Sequence, residues 1–412
     1  MVSLYETCDV CEVKMLSSAL LAIGFLLSPR AFMISGSGIG LAANWYIAIV
    51  ALLFITHLAT LPAIKLSDKS SNAGLLESFG YGLRFFTLVF FSCSILGIAG
   101  YAFNEVFLYW FPNFLFSFII VACSFFTSLL SLKNIKRIQL TVVTAILLGI
   151  TTLSIASLWA PSPKNAALPD FFLPYGTAPF SDGLFLMAPL LVGYELFATS
   201  SAKNKTSTKS YVLALGIAVF FLSIFAYAAL CVSGTEKLAD STVPYMIGAR
   251  KILGQTGRYI MGGIIILGSY AAFNTTLQFL KSPLITFMNS HSLTLIPNNE
   301  LGRQVIATAI PVLTVSVLLL QGYAGEPITE SYIAGGFALW FIYYGVNTVS
   351  AINHTGSFYI NMLKTSGIVS CLYLAYATLQ LPEHPFKGLF IAAFVSIIIV
   401  LLSIILRRRL LP

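Results

Sequence analysis

Roughly a dozen long apolar stretches fill this chain from end to end, and two of them are interrupted where a continuous helix needs no interruption. Leu27-Ser28-Pro29-Arg30 breaks the first stretch, and Val192-Gly193-Tyr194-Glu195 breaks the sixth. Irregular backbone and charged side chains are costly at membrane depth, and they survive there where they line a cavity or meet a partner. Interruptions at corresponding positions in two halves of a chain point to the binding site of a secondary transporter.

The composition agrees with a membrane class. Of 412 residues, 58% are hydrophobic and only 9% are charged, and the mean hydropathy is +0.88, outside the range of soluble domains. The loops are mostly short, which leaves no room among the stretches for a nucleotide-binding domain or a kinase. The net charge of +8 is scattered through loops and reads as a topology signal rather than a nucleic-acid surface. Cys93, Cys123, Cys231 and Cys371 lie in or beside apolar stretches, so no disulfide framework is expected. Cys8-Asp9-Val10-Cys11 is a lone CxxC in an acidic N-terminal tail. That tail lacks the basic region of a cleaved signal peptide, so the first stretch is expected to remain as a span.

At about 20 apolar residues per crossing, twelve spans are predicted near 15–36, 41–64, 80–108, 113–132, 139–159, 182–202, 211–233, 257–281, 303–321, 330–350, 362–381 and 387–406. Placing both termini in the cytoplasm puts fifteen Lys and Arg on the inner side, Arg84 and Arg407-Arg408-Arg409 among them, and six on the outer side. That asymmetry satisfies the positive-inside rule. The proline-rich segment Asn165–Asp182 separates five spans from the next five, with the interrupted span first in each set. A five-plus-five inverted repeat follows: 1–14 as a cytoplasmic tail, 15–160 and 182–350 as repeats, 161–181 as an extracellular linker, and 351–412 holding two further helices and a basic tail.

Leu190-Leu191-Val192-Gly193-Tyr194-Glu195, then Ala198-Thr199, Lys205 and Lys209, resembles the sixth helix of the amino acid–polyamine–organocation superfamily. Ile23-Gly24, Phe79-Gly80, Leu132-Lys133-Asn134-Ile135-Lys136 and Leu267-Gly268-Ser269 resemble other pieces of that family in the same order. The resemblance implies an all-α, leucine-transporter-like fold with discontinuous helices 1 and 6. It also implies an alternating-access carrier of amino acids or related amines. The expected location, from the lack of soluble appendages and of a cleaved signal, is an inner, or plasma, membrane. The chain departs from the family at the first break, where Ser28-Pro29-Arg30 stands for Gly-Ser-Gly and Pro29 has no amide proton to offer.

The candidate substrate residues are Leu27, Ser28, Pro29, Arg30, Val192, Gly193, Tyr194 and Asn274, with Glu195 for proton coupling. Arg30 has three readings: an anchor for a substrate carboxylate, an ion-pair partner of Glu195, or a residue facing a water-filled vestibule. Ser269 and Thr275 are weak candidates for a sodium site, since hydroxyls in membrane helices usually bond to backbone. Gly36-Ser37-Gly38-Ile39-Gly40 reads as the outer turn between spans one and two.

No enzyme signature stands out: the four histidines are far apart and none has metal-ligand spacing. No cofactor is expected, the expected coupling ion is H+, and the partners are a small-molecule substrate and the lipid bilayer, with no nucleic acid. The alternatives are a sodium-coupled carrier of a non-amino-acid organic solute and a channel.

Overall fold

The computed structural model describes residues 19–66, 73–161, 178–196, 208–290, 299–352 and 358–409. Among them every regular element is helical. The first stretch forms α1 (19–26) and α2 (Pro29–Ala42), parted at Leu27 and Ser28. The cause is local. Pro29 cannot donate a hydrogen bond back into α1, so the Ser28 N–H turns to the Phe25 carbonyl at 3.2 Å. The Ser28 carbonyl then accepts from Ala31 at 2.9 Å and Phe32 at 3.3 Å, and α2 starts afresh with proline in its favoured first position.

Next come α3 (Tyr46–Leu66), α4 (Ala73–Val106), α5 (Asn113–Ser128) and α6 (Leu132–Ala156). The sixth stretch is helical only in α7 (Ala178–Met187). Beyond it the chain winds through tight turns to Leu196, with Leu190 N–H on the Met187 carbonyl at 2.9 Å and Leu196 N–H on the Gly193 carbonyl at 3.1 Å. Gly193 holds φ at +93°, a conformation side chains disfavour. The remaining helices are α8 (Thr208–Ser233), α9 (Thr235–Ala239), α10 (Pro244–Ser290), α11 (Glu300–Leu320), α12 (Pro327–Ile352), α13 (Phe358–Thr378) and α14 (Pro385–Arg409).

Three long helices organise the packing. α10 lies against α2, α4, α6 and α8, while α12 lies against α3, α4, α13 and α14. α4 packs on both, and the two broken stretches meet through α2 and α7. Seven helical segments are long and apolar enough to cross a bilayer, and large apolar side chains point outward, such as Phe386, Phe390 and Phe394 along one face of α14. Outward apolar faces together with buried polar residues mark a multi-pass membrane protein.

Several expectations need correction. Gly36 to Gly40 form no turn; they lie inside α2, where the absence of side chains admits Pro244, Met187 and α9 at close range. The corner is instead the short 3-10 segment Ala43–Trp45. The segment 234–257, between the predicted seventh and eighth spans, is largely helical, as α9 and the first part of α10, with a break at Leu253 and Gly254. α4 begins at Ala73, well before the predicted start of the third span. The CxxC tail, most of the 161–181 linker, Ala198-Thr199 and Lys205 lie outside the described residues.

Helices α12 and α14 cross at glycine. A methyl group on Gly388 would run into the Ser331 carbonyl and one on Gly335 into the Leu389 amide, both backbone atoms that cannot step aside. Gly388→Ala should therefore destabilise the protein by about 1–3 kcal/mol. Gly216→Ala, in α8 with nothing within 4 Å of the added carbon, should be neutral or stabilising by up to about 1 kcal/mol. Thermal unfolding of the purified variants in detergent measures both.

Candidate functional site

The tight turns after α7 aim two consecutive side chains in opposite directions. Tyr194 points to α3, where its hydroxyl meets Thr60 Oγ1 at 2.8 Å and donates to the His57 carbonyl at 3.3 Å. Glu195 points the other way, to α12, and is 2% exposed. The two breaks touch here, since a carbon added to Gly193 would lie 2.5 Å from the ring of Phe25, near the end of α1.

A carboxylate this deep must be compensated, because its desolvation costs several kcal/mol. One face of α12 supplies the partners through Trp340 and Tyr344, four residues apart and thus neighbours on a helix. The Trp340 indole N–H donates to Oε1 at 2.8 Å and the Tyr344 hydroxyl donates to Oε2 at 2.5 Å. Tyr344 also accepts the Gly193 N–H at 3.4 Å, so one phenol holds both the turn backbone and the acid. The counter-charge is Arg84 of α4, whose Nη2 stands 3.4 Å from Oε1. Its guanidinium lies over the rings of Tyr343, Trp340 and Phe279 at 4.7, 5.6 and 5.7 Å.

Arg30 does not meet Glu195. It pairs instead with Glu330 in the first turn of α12, through Nη1 at 2.8 Å and Nη2 at 2.5 Å. This corrects the ion pair expected between the two breaks: each break carries one charge, and each charge finds its partner on another helix. Leu27, Ser28 and Val192 are buried beside the breaks.

The remaining candidates are not gathered into one site. The Ser269 hydroxyl donates to the Ile95 carbonyl of α4 at 2.9 Å, whereas that of Thr275 donates to the Leu21 carbonyl of α1 at 2.9 Å. Asn274 donates to Gln139 Oε1 at 3.3 Å, and its own carbonyl oxygen is buried with no hydrogen-bond partner. Among the described residues no three His, Cys, Asp or Glu side chains gather in a metal-binding group.

Arg84 and Glu330 were missed by sequence reasoning. Arg84 sits between Leu83 and Phe85-Phe86 in a chain poor in charge, which was the available signal. With α4 starting at Ala73 it lies about three turns inside the helix.

No family profile matches the chain, and no curated protein does. Solved structures do. The manganese transporter of Eremococcus coleocola, in a mutant with one histidine replaced by alanine, matches at a TM-score of 0.57 and 15% identity, covering 95% of this chain and 92% of that one. A second mutant of the same transporter, with one glutamate replaced by glutamine, matches at 0.56 and 16% identity with the same coverage. At such identity the likeness is one of fold. This chain is thus a multi-pass membrane protein with a transporter fold of the leucine-transporter kind. The resemblance to the amino acid–polyamine–organocation superfamily is overturned, because the fold likeness found is to this manganese transporter, which lies outside it.

The Arg84–Glu195 pair can be tested by a double-mutant cycle. Arg84→Met leaves a buried carboxylate without its counter-charge and should cost about 3–5 kcal/mol. Adding Glu195→Gln should restore more than half of that loss in thermal unfolding, because the second change removes the stranded charge.

Proposed function

We propose that the chain is a secondary transporter, not an enzyme, that carries a small organic solute by alternating access through the region between its two helix breaks. The observation that carries this reading is the contact of the two breaks at Phe25 and Gly193, with the buried carboxylate of Glu195 beside it. Broken helices free backbone groups for a ligand and can rearrange at little cost. The reading takes the twelve spans as two five-helix repeats plus α13 and α14, with the termini in the cytoplasm of an inner membrane. Glu195 is the residue assigned to proton coupling, since it is a carboxylate buried beside both breaks and Arg84 is its single cationic contact among the described residues.

The structural neighbours are named as manganese transporters, which makes a divalent metal the second substrate reading. The donor chemistry favours an organic solute. Hard divalent ions need several oxygen ligands, whereas the breaks and their partners here bring two carboxylates, each already paired with a guanidinium group, and two aromatic donors. Amino acids receive no separate support. Arg30 is already neutralised by Glu330, which weakens the argument for a substrate carboxylate at that position.

Uptake into proteoliposomes tests the proposal, with amines, amino acids, carboxylates and Mn2+ offered under inward proton or sodium gradients. The expected result is proton-driven accumulation of an organic solute that Glu195→Gln abolishes. Accumulation of Mn2+ alone would establish the second reading. Unchanged accumulation in Glu195→Gln would remove the coupling role, and conduction at ion-channel rates would replace the carrier with a pore.

A further inference from the structure

The rings around Arg84 form a cation site that the chain fills with its own side chain. The faces of Tyr343, Trp340 and Phe279 stand 4.7 to 5.7 Å from the guanidinium carbon, within the roughly 6 Å over which an aromatic quadrupole holds a positive charge. Glu195 closes the box at 3.4 Å.

Three features distinguish this occupant from a permanent lock. Its contact to the carboxylate is single and long, whereas Arg30 and Glu330 pair through two nitrogens at 2.8 and 2.5 Å. The Nε of Arg84 is buried with no hydrogen-bond partner, although a guanidinium brings five donors to be satisfied. Glu195 is oriented independently, by Trp340 and Tyr344, so the carboxylate keeps its position when the guanidinium leaves. The Arg84 side chain also retains 11% exposure against 3% for Glu195.

Resting on the reading of the chain as a carrier of a small organic solute, we propose that this box recognises an organic cation, a guanidinium or primary ammonium, and that Arg84 is its built-in competitor. The solute displaces Arg84 from Glu195 and the rings, and Arg84 returns when the solute departs. The same carboxylate repels anions. A neutral solute of the same shape gains neither the ring attraction nor the charge pair.

Equilibrium binding of radiolabelled agmatine to the purified full chain tests this without requiring turnover. Methylguanidinium should displace agmatine, while its neutral isostere methylurea, acetate and Mn2+ should not. Arg84→Ala should tighten agmatine binding about tenfold or more, as expected when a competitor that fills the site nine-tenths of the time is removed. Tyr343→Leu removes the ring nearest to Arg84 and loosens Arg84 and agmatine alike, so alone it should change the apparent affinity less than about twofold, whereas on the Arg84→Ala background it should weaken agmatine binding about fivefold, the equivalent of a ring contribution near 1 kcal/mol. The displacement series on the unaltered chain answers the same question if Arg84→Ala does not fold. Displacement by methylurea as effective as by methylguanidinium, loss of binding in folded Arg84→Ala, or unchanged affinity on adding Tyr343→Leu to Arg84→Ala would overturn the proposal.

Counterflow separates the two readings. Agmatine binding without counterflow of any solute would end the carrier assignment and leave the box standing. Counterflow of a neutral or anionic solute without agmatine binding would do the reverse.

Discussion

A single buried carboxylate sets the terms for the centre of this protein. Glu195 lies where water cannot solvate it, so its charge must be answered by fixed donors and by a cation, and each answer recruits a different helix. The turn at Gly193 aims it, α12 supplies an indole and a phenol, and α4 supplies a guanidinium. Tyr344 then ties the turn backbone to the same acid. Three segments distant in sequence are held at one point by the need to satisfy one group.

The two ion pairs at the breaks are built differently, and the difference is informative. Arg30 and Glu330 match a planar fork to two oxygens, the strongest geometry such a pair offers. They join the start of α2 to the first turn of α12. Arg84 makes a single longer contact and relies on ring faces for the rest. The first arrangement fastens two helices, and the second holds a charge in a place another charge can take.

The helices and their interruptions are readable from local chemistry. Pro29 removes a donor and ends α1 wherever the chain is placed, and the Gly193 turn follows Pro189 at the point where α7 stops. Local chemistry also misleads. The triplet Gly193-Tyr194-Glu195 resembles a superfamily motif, yet a glycine turn presenting an acid solves a general problem of broken membrane helices, and the solved structures that share the fold lie elsewhere. Gly36 to Gly40 read as a turn, but in a helix the same glycines permit close packing. Arg84 reads as a topology signal, yet in the fold its guanidinium faces Glu195 from inside α4.

The sequence by itself determined that the chain enters a bilayer, that its apolar stretches are helical, and that the first and sixth of them cannot run unbroken. Those properties depend on hydropathy summed along the chain and on the bonding capacity of single residues. Only the tertiary structure decided which charge answers which. Arg30 lies near Ser28 in sequence and Glu195 near Gly193, but each finds its partner on a helix remote in the chain. Electrostatic compensation depends on distance in space, and in a bundle of long helices that distance is set by how the helices pack.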